Sequence, residues 1–126
     1  MTSESWHDVL TLMAMVILAD KRVYKEEVDT FVESITELNN KISPDMFMTQ
    51  SMAFEWFKSN RERVKNLLIG KDAKTNVRET VLRVGNLPHK PYIVECMRNI
   101  ANADNEYHSS EHSVIKQAAY NWKIAI

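Results

Sequence analysis

Two stretches decide the fold. Residues 18–31 read Leu18-Ala19-Asp20-Lys21-Arg22-Val23-Tyr24-Lys25-Glu26-Glu27-Val28-Asp29-Thr30-Phe31. Residues 102–115 read Asn102-Ala103-Asp104-Asn105-Glu106-Tyr107-His108-Ser109-Ser110-Glu111-His112-Ser113-Val114-Ile115. Each has Ala-Asp, a short polar loop interrupted by one apolar residue, and a glutamate seven positions after the aspartate. Working outward, the register holds without a gap: Val9 falls on Ile93, Met13 on Met97, Val16 on Ile100, Phe31 on Ile115 and Leu38 on Trp122. Self-similarity over this length means that one supersecondary unit is used twice. Here the unit is a helical hairpin, an apolar helix followed by a polar junction and a second helix. The two copies are expected to pack face to face about a pseudo-twofold axis.

The spacing of apolar residues supplies the helices. Val9, Leu12, Met13, Val16 and Ile17 mark an amphipathic helix over 4–19, and Val28, Phe31, Val32, Ile35 and Leu38 a second over 25–39. Asn39-Asn40 is expected to close the second, since Asn tolerates the left-handed terminal conformation. Ser43-Pro44-Asp45 is a start signal for a third, running to Lys58. Ser59-Asn60 is expected to restart a fourth that ends at Gly70. A weaker fifth lies near 75–86, a sixth near 91–103 and a seventh from Ser109 or Ser110 to Asn121. The third carries Met46, Phe47, Met48, Met52, Phe54, Trp56 and Phe57 nearly all round. That pattern suits either a central helix buried on most sides or a Met-rich face that adapts to a partner helix.

The chain has 126 residues, enough for one domain, with two glycines and three prolines. So few turn residues exclude an all-β fold, and Gly70 and Gly85 stand alone, which excludes glycine-rich phosphate loops. The fold expected is an all-α bundle of six to seven short helices. It forms a single domain over 1–126, with repeat halves at 4–39 and 88–123 and a helical insert at 43–86.

The pattern Ala-Asp-x-x-apolar-x-x-x-Glu at a helix junction, present twice in a small helical chain, resembles the TerB (tellurite-resistance) family. The same module occurs at the amino end of some membrane-tethered DnaJ-type co-chaperones. The resemblance covers residues 18–31 and 102–115 with their flanking helices. Lys21 and Asn105 stand where the family usually has glycine, and Tyr24 and His108 where it usually has a small capping residue. The resemblance implies a non-enzymatic binding or regulatory module in a bacterial stress response. It also implies a divalent cation at the loop acids, with Asp20, Glu27, Asp104 and Glu111 as ligands and Glu106 nearby. Oxygen-only ligation favours Ca²⁺, Mg²⁺ or Mn²⁺ over zinc.

The same acids have a purely structural reading. Glu27 and Glu111 fall near the third position of their helices, where a glutamate bonds back to the cap and meets the positive end of the dipole. Asp20 and Asp104 sit where Asx-turns form. No other cofactor is expected, and no catalytic residue. His108-Ser109-Ser110-Glu111-His112 spells an H-x-x-E-H string, but no further His, Cys, Asp or Glu follows as a third zinc ligand.

Net charge is −1, unevenly spread. Residues 1–57 hold four Lys/Arg against ten Asp/Glu, residues 58–90 nine against three, and residues 91–126 three against four. Lys58, Arg61, Arg63, Lys65, Lys71, Lys74 and Arg78 form a basic face without interleaved aromatics. A solvated surface is expected first, then an acidic protein or anionic membrane surface, with nucleic acid last. A protein partner or a homodimer is expected. The longest apolar stretch, residues 9–19, is too short to span a membrane, so any membrane contact is peripheral. Acidic residues upstream of that stretch are the wrong charge for a secretory signal, and the lone Cys96 lies in an apolar run, so a cytoplasmic setting and a buried, inert thiol are expected.

Overall fold

The first helix, α1 (Ser3–Leu18), is wrapped by every other helix. Residues 9–18 are buried without exception, at 0–5% exposure. The sequence reads as amphipathic, yet no charged residue falls between Asp8 and Asp20. A helix apolar all round is a core helix. Its one polar side chain in that run, Thr11, is buried and accepts a hydrogen bond from Arg63 Nη2 at 2.9 Å.

This computed structural model describes residues 3–19, 23, 25–42, 48–103 and 109–125. Among the described residues there are six helices and no strand: α1, α2 (Lys25–Ile42), α3 (Gln50–Leu67), α4 (Ala73–Val84), α5 (Lys90–Ala101) and α6 (Ser109–Trp122). The hairpins α1–α2 and α5–α6 cross-pack: α1 lies on α5 and α6, and α2 on α5. The crossed pairs α1–α6 and α2–α5 are the equivalent contacts that a twofold between two hairpins demands. Burial follows the repeat register as well. Val9 and Ile93, Met13 and Met97, Val16 and Ile100, and Phe31 and Ile115 are all buried. The insert closes the remaining sides of α1, with α3 against α1 and α2, and α4 against α1 and α6.

Three expectations are corrected. First, α2 does not stop at Asn39-Asn40 but runs to Ile42, because Asn39 is on the buried face and belongs to the helix interior. Second, no break occurs at Ser59-Asn60, and α3 is one continuous helix. Asn60 does not cap a new helix. Its Nδ2 donates back to Trp56 O at 2.9 Å and its Oδ1 accepts from Arg63 Nε at 3.2 Å. The described start of α3 is capped by Thr49, whose hydroxyl accepts from Met52 N at 3.1 Å. The Ser43-Pro44-Asp45 signal, with Met46 and Phe47, lies outside the described residues. Third, α3 is not the central helix. It buries Ala53, Phe57 and Val64 but leaves Met52 and Phe54 47% and 44% exposed. The central place belongs to α1, whose apolar run is longer and free of charge.

The corners use local chemistry. After α3, Gly70 takes φ +85, a left-handed value that glycine adopts without steric cost. Asn76 Nδ2 then donates to Leu67 O at 3.0 Å and ties α4 to the end of α3. α6 closes with Lys123 at φ 58 and Ile124 N donating to Ala119 O at 2.9 Å, a Schellman-type cap.

Gly85 is needed for closeness rather than for its backbone angles. A Cβ there would stand 2.9 Å from Trp122 Nε1, the group that donates to Val81 O at 2.9 Å. Gly85→Ala is expected to push Trp122 off that carbonyl and cost about 1–3 kcal/mol, as overpacking does. Thermal unfolding followed by tryptophan fluorescence checks this. An unchanged midpoint would mean that Trp122 does not pin α6 to α4.

Candidate functional site

The predicted junction acids divide into described and undescribed residues. Glu27 is the third residue of α2 and Glu111 the third of α6, so the two repeat-related glutamates hold equivalent positions. Both have no exposed surface. A cap glutamate at a solvated helix start keeps contact with water; these two do not. A carboxylate withdrawn from water is tolerated only where charge or hydrogen bonds compensate it. Asp20, Asp104, Glu106 and His108 lie outside the described residues. Ala19, which precedes Asp20, and Ser113, two residues past Glu111, line one cleft of about 170 Å³ together with Lys74. The first junction therefore borders the opening turns of α6. Among the described residues no group of three or more His, Cys, Asp or Glu could hold a metal ion. Glu27 and Glu111 alone do not make a ligand set. In the H-x-x-E-H string, Glu111 is the residue a zinc peptidase would use as base, and it is closed to solvent.

A second site lies between α2 and α3, on the helix whose Met- and Phe-rich pattern suggested a face for a partner helix. Val28 and Phe57 form the floor of a cleft of about 420 Å³, with Lys25, Lys58 and Arg61 at its rim. A neighbouring depression of about 380 Å³ is lined by Asp29, Val32, Glu33 and Gln50. Phe54 borders both. Lys58 Nζ sits 5.5 Å from the Phe54 ring centroid, a cation–π contact on an exposed aromatic. Behind the cleft, Phe31 packs on Phe57 and Trp56 with ring centroids 5.7 and 6.3 Å apart. The periodicity of α3 carried a partial signal, since its apolar residues wrap too far round to face one core. Which of them face α2 is a tertiary fact.

A third cleft, about 500 Å³, joins the start of α1 to α3 and α4 through His7, Asp8, Thr11, Arg63 and Arg83. Arg83 Nε donates to Asp8 Oδ1 at 3.2 Å, and the His7 ring meets Trp56 edge-on at 5.6 Å. His7 is held below the usual histidine value of 6.5, first by burial and then by the Arg63 charge; Asp8 opposes the shift and Arg83 adds to it. Cys96 is a buried free thiol, pushed up to about 11 mainly by burial. The Ser34 hydrogen bond works against that shift, while Glu37 and Glu95 add to it. It is protonated at neutral pH and has none of the thiolate character a nucleophile needs.

A family model described as "Tellurite resistance protein TerB" matches residues 7–124. No curated protein and no solved structure matches the chain. Among the described residues no helix is long and apolar enough to cross a membrane.

Two outcomes are expected of this chemistry. Histidine NMR titration should place His7 below 6.5. Arg63→Gln should raise that value by removing the largest neighbouring cation, and Asp8→Asn should lower it further. A His7 midpoint above 6.5 contradicts the cleft geometry. Because its folded value lies below the unfolded one, the His7 contribution to stability is present above pH 6.5 and is lost as pH falls through the folded value. Cys96, in turn, should react with a thiol reagent at neutral pH only as fast as the chain opens. Rapid labelling of the folded protein would show the thiol to be accessible.

Proposed function

This chain belongs to the TerB family, and from that membership we propose that it is a non-enzymatic binding module of the tellurite-resistance type. It acts in a bacterial stress response by recognising a protein partner through the surface of the bundle. The observation that carries this reading is Phe54 of α3, which stands 44% exposed beside a cleft floored by Val28 and Phe57, in a molecule whose central helix is buried throughout residues 9–18. Exposed apolar side chains that border a concave surface are a common mark of interaction sites.

A photo-crosslinking residue at position 54 should give a discrete adduct in cells, and one at Tyr120, itself 85% exposed, should not. Equal labelling at both positions, or none at either, rejects recognition through α3. An adduct of twice the chain's mass identifies self-association, the adaptor form of the same reading, in which no metal takes part.

A divalent cation at the two junctions tunes this recognition. Asp20, Glu27, Asp104 and Glu111 are its proposed ligands. The supports are the equivalent third-residue positions of the two repeat-related glutamates and the cleft that Ala19 shares with Ser113. The donors are all oxygens, which suit Ca²⁺, Mg²⁺ or Mn²⁺. Thermal unfolding with each of these cations, and with Zn²⁺ as control, tests it. A cation that binds only the native state at 100 times its dissociation constant adds about 2.7 kcal/mol of stability, a shift of several degrees for a domain this size. Asp20→Ala with Asp104→Ala should abolish the shift. No shift with any cation, or a shift that survives the double substitution, leaves the acids as helix caps.

A further inference from the structure

We propose that the α2–α3 groove takes an amphipathic helix from a protein partner, seated with apolar residues on either side of Phe54 and with acidic side chains at the Lys58–Arg61 end. This inference rests on the partner-recognition reading above and adds the site and the chemistry of what it binds.

The shape comes first. Phe54 stands as a ridge between two depressions, one floored by Val28 and Phe57 and the other bordered by Val32. Anchors one helical turn apart would straddle such a ridge, which is how an amphipathic helix lies in a groove between two helices. A peptide that binds by strand addition would instead need a sheet edge, and there is no strand among the described residues.

The charge then sets the partner and its direction. At one end the groove is bordered by three cations, Lys25, Lys58 and Arg61, against the single carboxylate of Asp29. Lys25 pairs with Asp29 at 3.2 Å and Lys58 with Glu55 at 3.5 Å. Both are exposed pairs within one helix, worth little and readily exchanged for a partner's carboxylate. Arg61 has no ion-pair partner among the described residues. The other depression has the opposite character, with Asp29 and Glu33 at its edge. A helix with acids at one end and neutral or basic residues at the other fits in one direction only, and rim charges of this kind set on-rate and orientation more than affinity. A second copy of the chain fits less well. Pairing the groove with itself would bring one Phe54 ridge against the other, convex on convex.

The test uses the full chain, ¹⁵N-labelled, titrated with two matched pools of helical peptides. Both pools carry apolar residues at i, i+3, i+4 and i+7. One is flanked at one end by Glu and the other by Lys. The Glu-flanked pool is expected to shift amide resonances along 23–33 and 50–61, more strongly at low salt. Arg61→Glu should weaken it roughly three- to tenfold, the scale of one exposed charge pair made repulsive, and Phe54→Ala by roughly thirtyfold or more, as loss of a central aromatic anchor does. Both side chains are on the surface, so neither variant threatens the fold. If the Lys-flanked pool binds the same groove equally well, the face is a docking site but the acidic partner is wrong. Should neither pool perturb α2 and α3, the docking reading falls along with this one. A concentration-dependent rise in mass that Phe54→Ala abolishes would make the occupant a second copy and overturn the proposal.

Discussion

The architecture depends on the enclosure of α1. Ten consecutive residues with almost no exposed surface can be satisfied only if other helices cover every side. Two helices of the partner hairpin cannot do that alone, and this gives the insert its role. α3 covers α1 beside α2, and α4 covers it beside α6. The polar cost is kept small, because the hydroxyl of Thr11 is the only polar side-chain group in the buried run and Arg63 reaches in from α3 to meet it. Trp122, donating to Val81 O against Gly85, locks the last helix onto α4 in the same way.

That enclosure also explains where function can reside. With residues 9–18 of α1 sealed by the other helices, exposed apolar side chains lie on the insert, at Met52, Phe54, Ile69 and Leu82, and on α6 at Tyr120. α3 must cover α1 on one side, yet it carries more apolar residues than that face uses. Of the surplus that stays exposed, Phe54 lies beside α2. The twofold relates this groove to a smaller cleft of about 170 Å³ between α4 and α6, where α4 is a shorter helix whose buried residues are Val77, Thr80, Val81 and Val84. The basic segment supplies Lys58 and Arg61 to the rim of this groove, while its Arg63 and Arg83 line the cleft beside His7 and its Lys74 the cleft between α4 and α6.

The junction glutamates show how a residue can be legible in position and illegible in environment. The repeat placed Glu27 and Glu111 at the third position of their helices, and both are there. Spacing alone suggested solvated caps or ligands. Their complete burial was not written in the sequence, because it depends on how the second hairpin and the insert close over the helix starts. His7 is similar. In sequence it has no partner, since Arg63 and Arg83 approach it from helices far along the chain. Cys96 is the opposite case: its apolar neighbours announced a buried thiol, and the fold buries it.

By itself the sequence determined the helical class, the twice-used hairpin with its register, and the family to which the chain belongs. These follow from local periodicity, scarce turn residues and a motif that recurs 84 residues on, all properties of neighbours along the chain. The tertiary structure decided which helix is central, that Ser59-Asn60 would not break α3, and that Phe54 would stand between two depressions with cations at one end. Hydrophobic burial is non-directional. Several helices of this chain are apolar enough to occupy the core, and only the competition among them for a fixed interior volume determines which one is enclosed and which is left with apolar surface to offer.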